Sequence, residues 1–211
     1  MPSVLLHPSY FPNIATMAVL AQHNICWELW DNYQKQTYRN RSYICTDQGR
    51  HMLSIPIQHR GNPEGRQLYK EVKVDNSYPW QRQHWRTLQT AYRASPFFEY
   101  FEEDLEPLFT KKYDSLLDFN LKTIEVTCSL IDIPFPAAKT ESYAMELADQ
   151  TDGRFMINAK QEREYGFKSY PQVFQERHGF IPNTSILDLL FNEGNNSITY
   201  LENINTDWLN A

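Results

Sequence analysis

Residues 31–41, Asp31-Asn32-Tyr33-Gln34-Lys35-Gln36-Thr37-Tyr38-Arg39-Asn40-Arg41, hold the densest chemistry in the chain. They carry three cations, a carboxylate, four amides and two tyrosines, with no aliphatic side chain. Apolar runs flank them at 25–30 and 43–45. Loops held between buried strands are where binding groups concentrate. Lys35, Arg39 and Arg41 suit the oxygens of a phosphate or carboxylate, and equally suit a solvated loop; Asn40 adds an amide. Asp31 directly follows an apolar run, a usual place for a base or a ribose partner in crossover folds. His7 closes another apolar run and precedes Pro8. It can act as acid, base or phosphate ligand, or can simply fix its loop with a hydrogen bond. His84 lies on the apolar face of a helix, as a core histidine or as a group pointing into a pocket. Arg82, Arg86 and Arg93 line another face of that helix and read as solvent-facing. Asp188, between leucines, reads as a surface or capping carboxylate.

The elements that must position these groups follow from pattern. Residues 3–6 form a buried strand candidate, broken by Pro8 and Pro12. Asn13 caps a helix over 14–22, and 25–30 forms a second strand. Strand, helix, strand outlines a parallel crossover, with ligands expected at the carboxyl ends of its strands. That would set residues 7–13 and 31–41 side by side at one sheet edge. Segments 41–45 and 51–57 flank Asp47-Gln48-Gly49 as a hairpin. Residues 58–67 read as a polar loop and 71–74 as a short strand. A helix runs from about 75 to 94 with Pro79 near its start, followed by the aromatic knot Phe97, Phe98, Tyr100, Phe101. Helical periodicity covers 115–130, and 185–191 is a helix capped by Asn183 or Thr184 and closed by Gly194. The fold class is α/β (or α+β): an N-terminal strand-helix-strand unit with a mixed sheet, then a mainly helical C-terminal part. A single domain is expected over 1–211.

Charge is uneven. Net charge is −6, yet residues 1–93 hold eleven Lys and Arg against six Asp and Glu, and 94–211 hold nine against twenty. The acidic half argues against nucleic acid as a partner. The basic half suits a small anionic ligand such as a sugar nucleotide. No apolar run approaches the ~20 residues of a membrane span. The N-terminus lacks signal-peptide character. Cys26, Cys45 and Cys128 are widely spaced in apolar settings and read as reduced core thiols of a cytoplasmic protein. No common nucleotide-binding, hydrolase or metal motif is present, so no cofactor and no oligomeric state are indicated.

Several stretches together resemble the WbqC-like proteins: His7-Pro8-Ser9-Tyr10-Phe11-Pro12, Tyr33-Gln34-Lys35 through Asn40-Arg41, and Leu53-Ser54-Ile55-Pro56-Ile57. So do Trp80 through His84 to Leu88, Tyr92-Arg93-Ala94-Ser95-Pro96-Phe97-Phe98, and the tail 182–194, which is similar to versions from Bacteroidetes-type bacteria. The opening departs slightly from the family's usual Gln-Pro after the histidine. The resemblance implies a bacterial cytosolic protein linked to surface polysaccharide (O-antigen) biosynthesis. It also marks His7, Lys35, Asn40, Arg41, Trp80, His84 and Tyr92 as motif positions.

Two functions follow. One is a transferase moving an acyl or aminoacyl group onto a nucleotide-activated or phosphorylated amino sugar. His84 or His7 would serve as base, and Asp31, Lys35, Arg39, Asn40, Arg41 and Tyr92 as the substrate-binding set. The other is a non-enzymatic binding or scaffold protein of the same pathway, with the aromatic knot as an interface.

Overall fold

Val4, Leu5 and Leu6 are apolar on both strand faces, which suits a strand covered on both sides. In the computed structural model, which describes residues 3–58, 67–161 and 163–210, they form β1 (Ser3–Leu6). The loop after it leads into α1 (Ile14–Gln22), where the Asn13 side chain accepts from the Thr16 amide at 2.9 Å as the expected cap. Every residue from Ile14 to Leu20 is buried, as in a helix that is core on all sides. The chain returns as β2 (Ile25–Trp27), parallel to β1 with Val4 opposite Ile25 and Leu6 opposite Trp27. The crossover is thus present. Its second strand ends three residues earlier than expected, because the Glu28 carboxylate turns back to accept the Trp30 amide at 2.7 Å.

The hairpin is β3 (Arg41–Thr46) and β4 (Gly49–Ser54), closed by Asp47-Gln48 with Gly49 at φ 94°. The expected strand at 71–74 is instead a 3-10 turn, Tyr69–Glu71, followed by single bridges from Lys73 to Ser115 and Val74 to Ile57. From this turn the Tyr69 hydroxyl donates to the Pro8 carbonyl at 2.8 Å. Of the polar loop expected over 58–67, residues 59–66, His59 among them, lie outside the described residues.

The later chain is mainly helical: α2 (Trp80–Tyr92), α3 (Phe98–Thr110), α4 (Leu116–Leu130), α5 (Gln175–His178), α6 (Ile186–Glu193) and α7 (Asn196–Glu202). The aromatic knot is the start of α3. Phe98, Phe101, Leu105 and Leu108 recur at helical spacing and are buried, whereas Tyr100 faces out. Ser185, one residue past the expected caps, caps α6, and Gly194 closes it at φ 55°.

A short strand returns to the sheet from within this helical region. β5 (Gln150–Asp152) pairs parallel with β1, Leu5 opposite Asp152. Among the described residues the parallel sheet runs β2-β1-β5, and the antiparallel pairing belongs to the separate hairpin. One cluster of buried apolar side chains extends from Val4 to Leu209, joining the sheet, the hairpin and the helices.

Gly153, just after β5, lies hard against β1. Its amide donates to the Leu5 carbonyl at 3.0 Å, and an added Cβ would sit 2.6 Å from Leu6 Cδ2 and 2.9 Å from Val4 Cγ1. Gly153→Ala should therefore destabilise the fold by about 1–3 kcal/mol, the usual cost of overpacking a core. Urea unfolding would test this; an unchanged midpoint would mean that β5 is free to shift away.

Candidate functional site

Three segments meet just past the carboxyl ends of the parallel strands. The first is the opening loop, 7–13, which is buried throughout. A buried loop must satisfy its backbone, and this one is stitched on several sides. The Tyr10 amide donates to the Tyr38 carbonyl at 3.0 Å. The hydroxyls of Ser42 and Ser185 both donate to the Phe11 carbonyl at 3.2 Å. The Ile186 amide donates to the Pro12 carbonyl at 2.8 Å. These bonds hold Phe11 in the left-handed region at φ 39°.

The second segment is 31–41. Asp31 is half-buried, and its Oδ2 accepts from His7 Nε2 and from Arg39 Nη2, both at 2.9 Å. The expected adjacency of the two loops is thus a direct contact. Arg39 is fully buried, its guanidinium 5.1 Å from the Tyr69 ring centre. The third segment is α4, where Asn120 Nδ2 donates to the Arg39 carbonyl and to the Tyr69 hydroxyl oxygen, each at 2.6 Å.

The protons follow from these contacts. A carboxylate only accepts, so the shared proton sits on His7 Nε2 and Nδ1 keeps its lone pair. Burial, with the Arg39 charge beside it, lowers His7 to about 4 against the pull of Asp31, so the ring is neutral at pH 7. Partial burial works to raise Asp31. The His7 hydrogen bond and the nearby charge of Arg39 outweigh it and hold the carboxyl at about 2. His7 Nδ1 and Arg39 Nε and Nη1 are buried without a hydrogen-bond partner. Native proteins leave few such atoms, and each calls for strain, a catalytic role, or a bound water or ligand.

The other expected residues fall around this centre. Asn40 donates to the Ile55 carbonyl at 3.0 Å while its Oδ1 is buried and unpaired, and Arg41 opens β3 with Nε likewise unpaired. Lys35 is exposed at the loop tip. His84 stands apart in an aromatic layer with Trp80 and Tyr10. Its Nδ1 lies 2.9 Å from the Tyr10 hydroxyl, and a hydrogen bond to the Ser54 backbone holds the ring from another side. Burial lowers it to about 4. Tyr92 belongs to a different network, centred on Asp188. That carboxylate is fully buried, contrary to the surface role read from its sequence. It accepts from the hydroxyls of Tyr92 at 2.7 Å, Tyr170 at 2.6 Å and Thr184 at 3.2 Å, and from Gln172 Nε2 at 2.7 Å. Four donors offset the cost of burying it, which the leucines around it gave no reason to expect. The Arg82, Arg86 and Arg93 stripe is exposed, as expected. The three cysteines are buried and free, and burial pushes Cys45 and Cys128 up to about 12.

Glu28, Tyr69 and Asn120 escaped the sequence reading. A signal existed for Glu28, a lone carboxylate inside the apolar run 25–30, and for Asn120, an amide inside an apolar helix face.

Two histidines buried in the neutral form make a pH prediction. Each has its folded-state value depressed below the unfolded 6.5, so the unfolded chain binds more protons between about 4 and 6.5 and stability rises with pH there. Acidification from pH 7 to 4 should remove on the order of 3 kcal/mol per histidine. Urea midpoints across this range should fall steeply for the wild type and less steeply for His7→Asn or His84→Gln; equal slopes would sink the assignment.

A family model described as the WbqC-like protein family matches residues 7–165. The chain is also 27% identical over 198 residues to the uncharacterized protein Rv1507c of Mycobacterium tuberculosis, covering 80% of this chain and 83% of that one. No solved structure matches it. Among the described residues, no helix is long and apolar enough to cross a membrane.

Proposed function

The chain belongs to the WbqC-like protein family, and from that premise we propose a role in bacterial surface polysaccharide biosynthesis, as a transferase that moves an acyl or aminoacyl group onto a nucleotide-activated or phosphorylated amino sugar. The observation that carries this proposal is the buried Arg39–Asp31–His7 chain, with its unpaired imidazole nitrogen and two unpaired guanidinium nitrogens. A neutral imidazole whose tautomer is held by a carboxylate is the arrangement of a general base. The spare nitrogens of an arginine suit a phosphate oxygen.

In this mechanism Arg39, with Arg41 and Lys35 nearer solvent, holds the phosphate, and Asn40 and Asp31 fix the loop around the sugar. The amine nitrogen attacks the activated carbonyl carbon of the donor. As the N–C bond forms, the amine becomes acidic and His7 Nδ1 takes its proton. The bond from that carbon to the leaving group then breaks, with its electron pair on the departing atom, and the proton on His7 follows it. A bound anion also helps the base: it offsets the Arg39 charge that depresses His7, so basicity rises once substrate is in place. A positioned base of this kind contributes about 100- to 10,000-fold. His84, through the Tyr10 hydroxyl, positions the opening loop, and Tyr92 acts at a distance by fixing the hairpin at the Cys45 amide.

Thermal stabilisation by a panel of nucleotides, sugar nucleotides and acyl donors is the direct test. A ligand present at about 100 times its dissociation constant should add roughly 2.7 kcal/mol of stability. The hit should vanish in Arg41→Ala and persist in His7→Ala, which should lose at least about 100-fold in turnover. Wild-type turnover in His7→Ala would remove the base from the mechanism. Retained binding with no turnover in any protein would leave a binding protein of the same pathway.

A further inference from the structure

The site holds a carboxylate that the proposed chemistry has not used. Glu28 follows β2 directly, and its amide donates to the Leu6 carbonyl at 2.8 Å, the bond that closes the last pair of the ladder, Leu6 with Trp27. The same register, extended by one residue beyond Leu6 and Trp27, brings the backbone of Glu28 alongside that of His7. Glu28 is 1% exposed. Its Oε1 is fixed by the Trp30 amide at 2.7 Å and the Thr140 hydroxyl at 3.1 Å. Its Oε2 is buried with no partner.

The pairing of nearby charges isolates this group. Asp31 is countered by Arg39 at 2.9 Å, and Asp152 by Arg154 at 2.7 Å. Arg154 is further occupied by the carbonyls of Ala144 and Met145, and senses Glu28 only electrostatically. His7 is neutral at pH 7. Among the described residues, Glu28 makes no ion pair. A buried carboxylate with one oxygen anchored and the other unpaired calls for a donor, best a cation.

We propose that Glu28 is a binding residue for a primary ammonium group of the ligand, so that the site takes a molecule carrying an amine together with an anion. This deepens the proposed function and rests on it for the anion alone. Glu28 would hold the ammonium beside His7 and take its first proton, which frees the lone pair for attack; the second passes to His7 as the N–C bond forms, and Arg39 would hold the anion. The ligand class narrows to zwitterionic sugars over neutral or purely anionic ones.

Four probes separate the two claims: glucosamine 6-phosphate, glucose 6-phosphate, glucosamine and glucose. Affinity is read by calorimetry and thermal shift at about pH 6.5, where the amine is protonated and His7 is neutral. Wild type should prefer the amine over the hydroxyl within each pair by roughly 10-fold or more, the scale of a hydrogen bond to a charged group. Glu28→Gln keeps the Oε1 anchors and should erase that preference while leaving the phosphate preference intact. Glu28→Asp, which retains the charge but withdraws it by one methylene, should weaken the preference without abolishing it, and covers the case in which Glu28→Gln does not fold. An amine preference absent from wild type, or surviving in Glu28→Gln, overturns the proposal. An amine preference without a phosphate preference upholds Glu28 and overturns the anion-holding role of Arg39. No binding by any probe overturns both.

Discussion

The Asp31 carboxylate is the joint on which this architecture turns. Burying an arginine is costly unless it is paired, and Arg39 is buried completely. Asp31 supplies the ion pair, and the same oxygen accepts from His7. One atom therefore ties the loop after β1 to the loop after β2. The backbone reinforces it: the Tyr69 amide donates to the Asp31 carbonyl at 2.9 Å, and the Tyr69 hydroxyl to Pro8. The polar loop of the sequence is in this way drawn inward from both ends, while Gln34, Lys35 and Gln36 stay outside.

A second buried carboxylate does different work. Asp188 is surrounded by three hydroxyls and an amide, all donating, and it connects α6 with α2, the segment 170–172 and, through Tyr92, the hairpin. Its hydrogen bonding is complete, whereas the groups past the sheet edge leave imidazole, guanidinium and carboxylate atoms unmatched. Satisfied networks rigidify a core, and incomplete ones call for strain, a catalytic role, or a bound water or ligand. The contrast sets a fully bonded polar centre against one with spare donors and acceptors, although buried unpaired atoms also occur elsewhere, at Ser197 and Trp208.

What could be read from the sequence was local. The apolar run at 3–6, the Asn13 cap, the turn around Gly49 and the periodicity of α4 each depend on neighbours in the chain, and each appears where pattern put it. The meeting of the two loops followed from the crossover rule. What escaped depends on distant partners. β5 is three polar residues, Gln150–Asp152, with no apolar alternation to announce it, and it exists because β1 offers an edge. α3 was hidden behind its aromatic cluster. Asp188 looked exposed because its four donors come from residues 92, 170, 172 and 184. Glu28 needed the register of the sheet to bring it beside His7.

The order in which the strands occur along the chain has a consequence for how the protein comes to exist. β1 is the central strand and is synthesised first, and β2 follows within about twenty residues, yet β5 arrives only at residue 150. Until then one edge of β1 has no partner, and its apolar residues lie open beside it. Contacts spanning so much chain are slow to form, and an open apolar edge invites pairing with other chains. A growing polypeptide would thus carry His7, Asp31 and Arg39 early and in unfinished form, exposed to chaperones or to aggregation, until the final third of the chain closes the sheet.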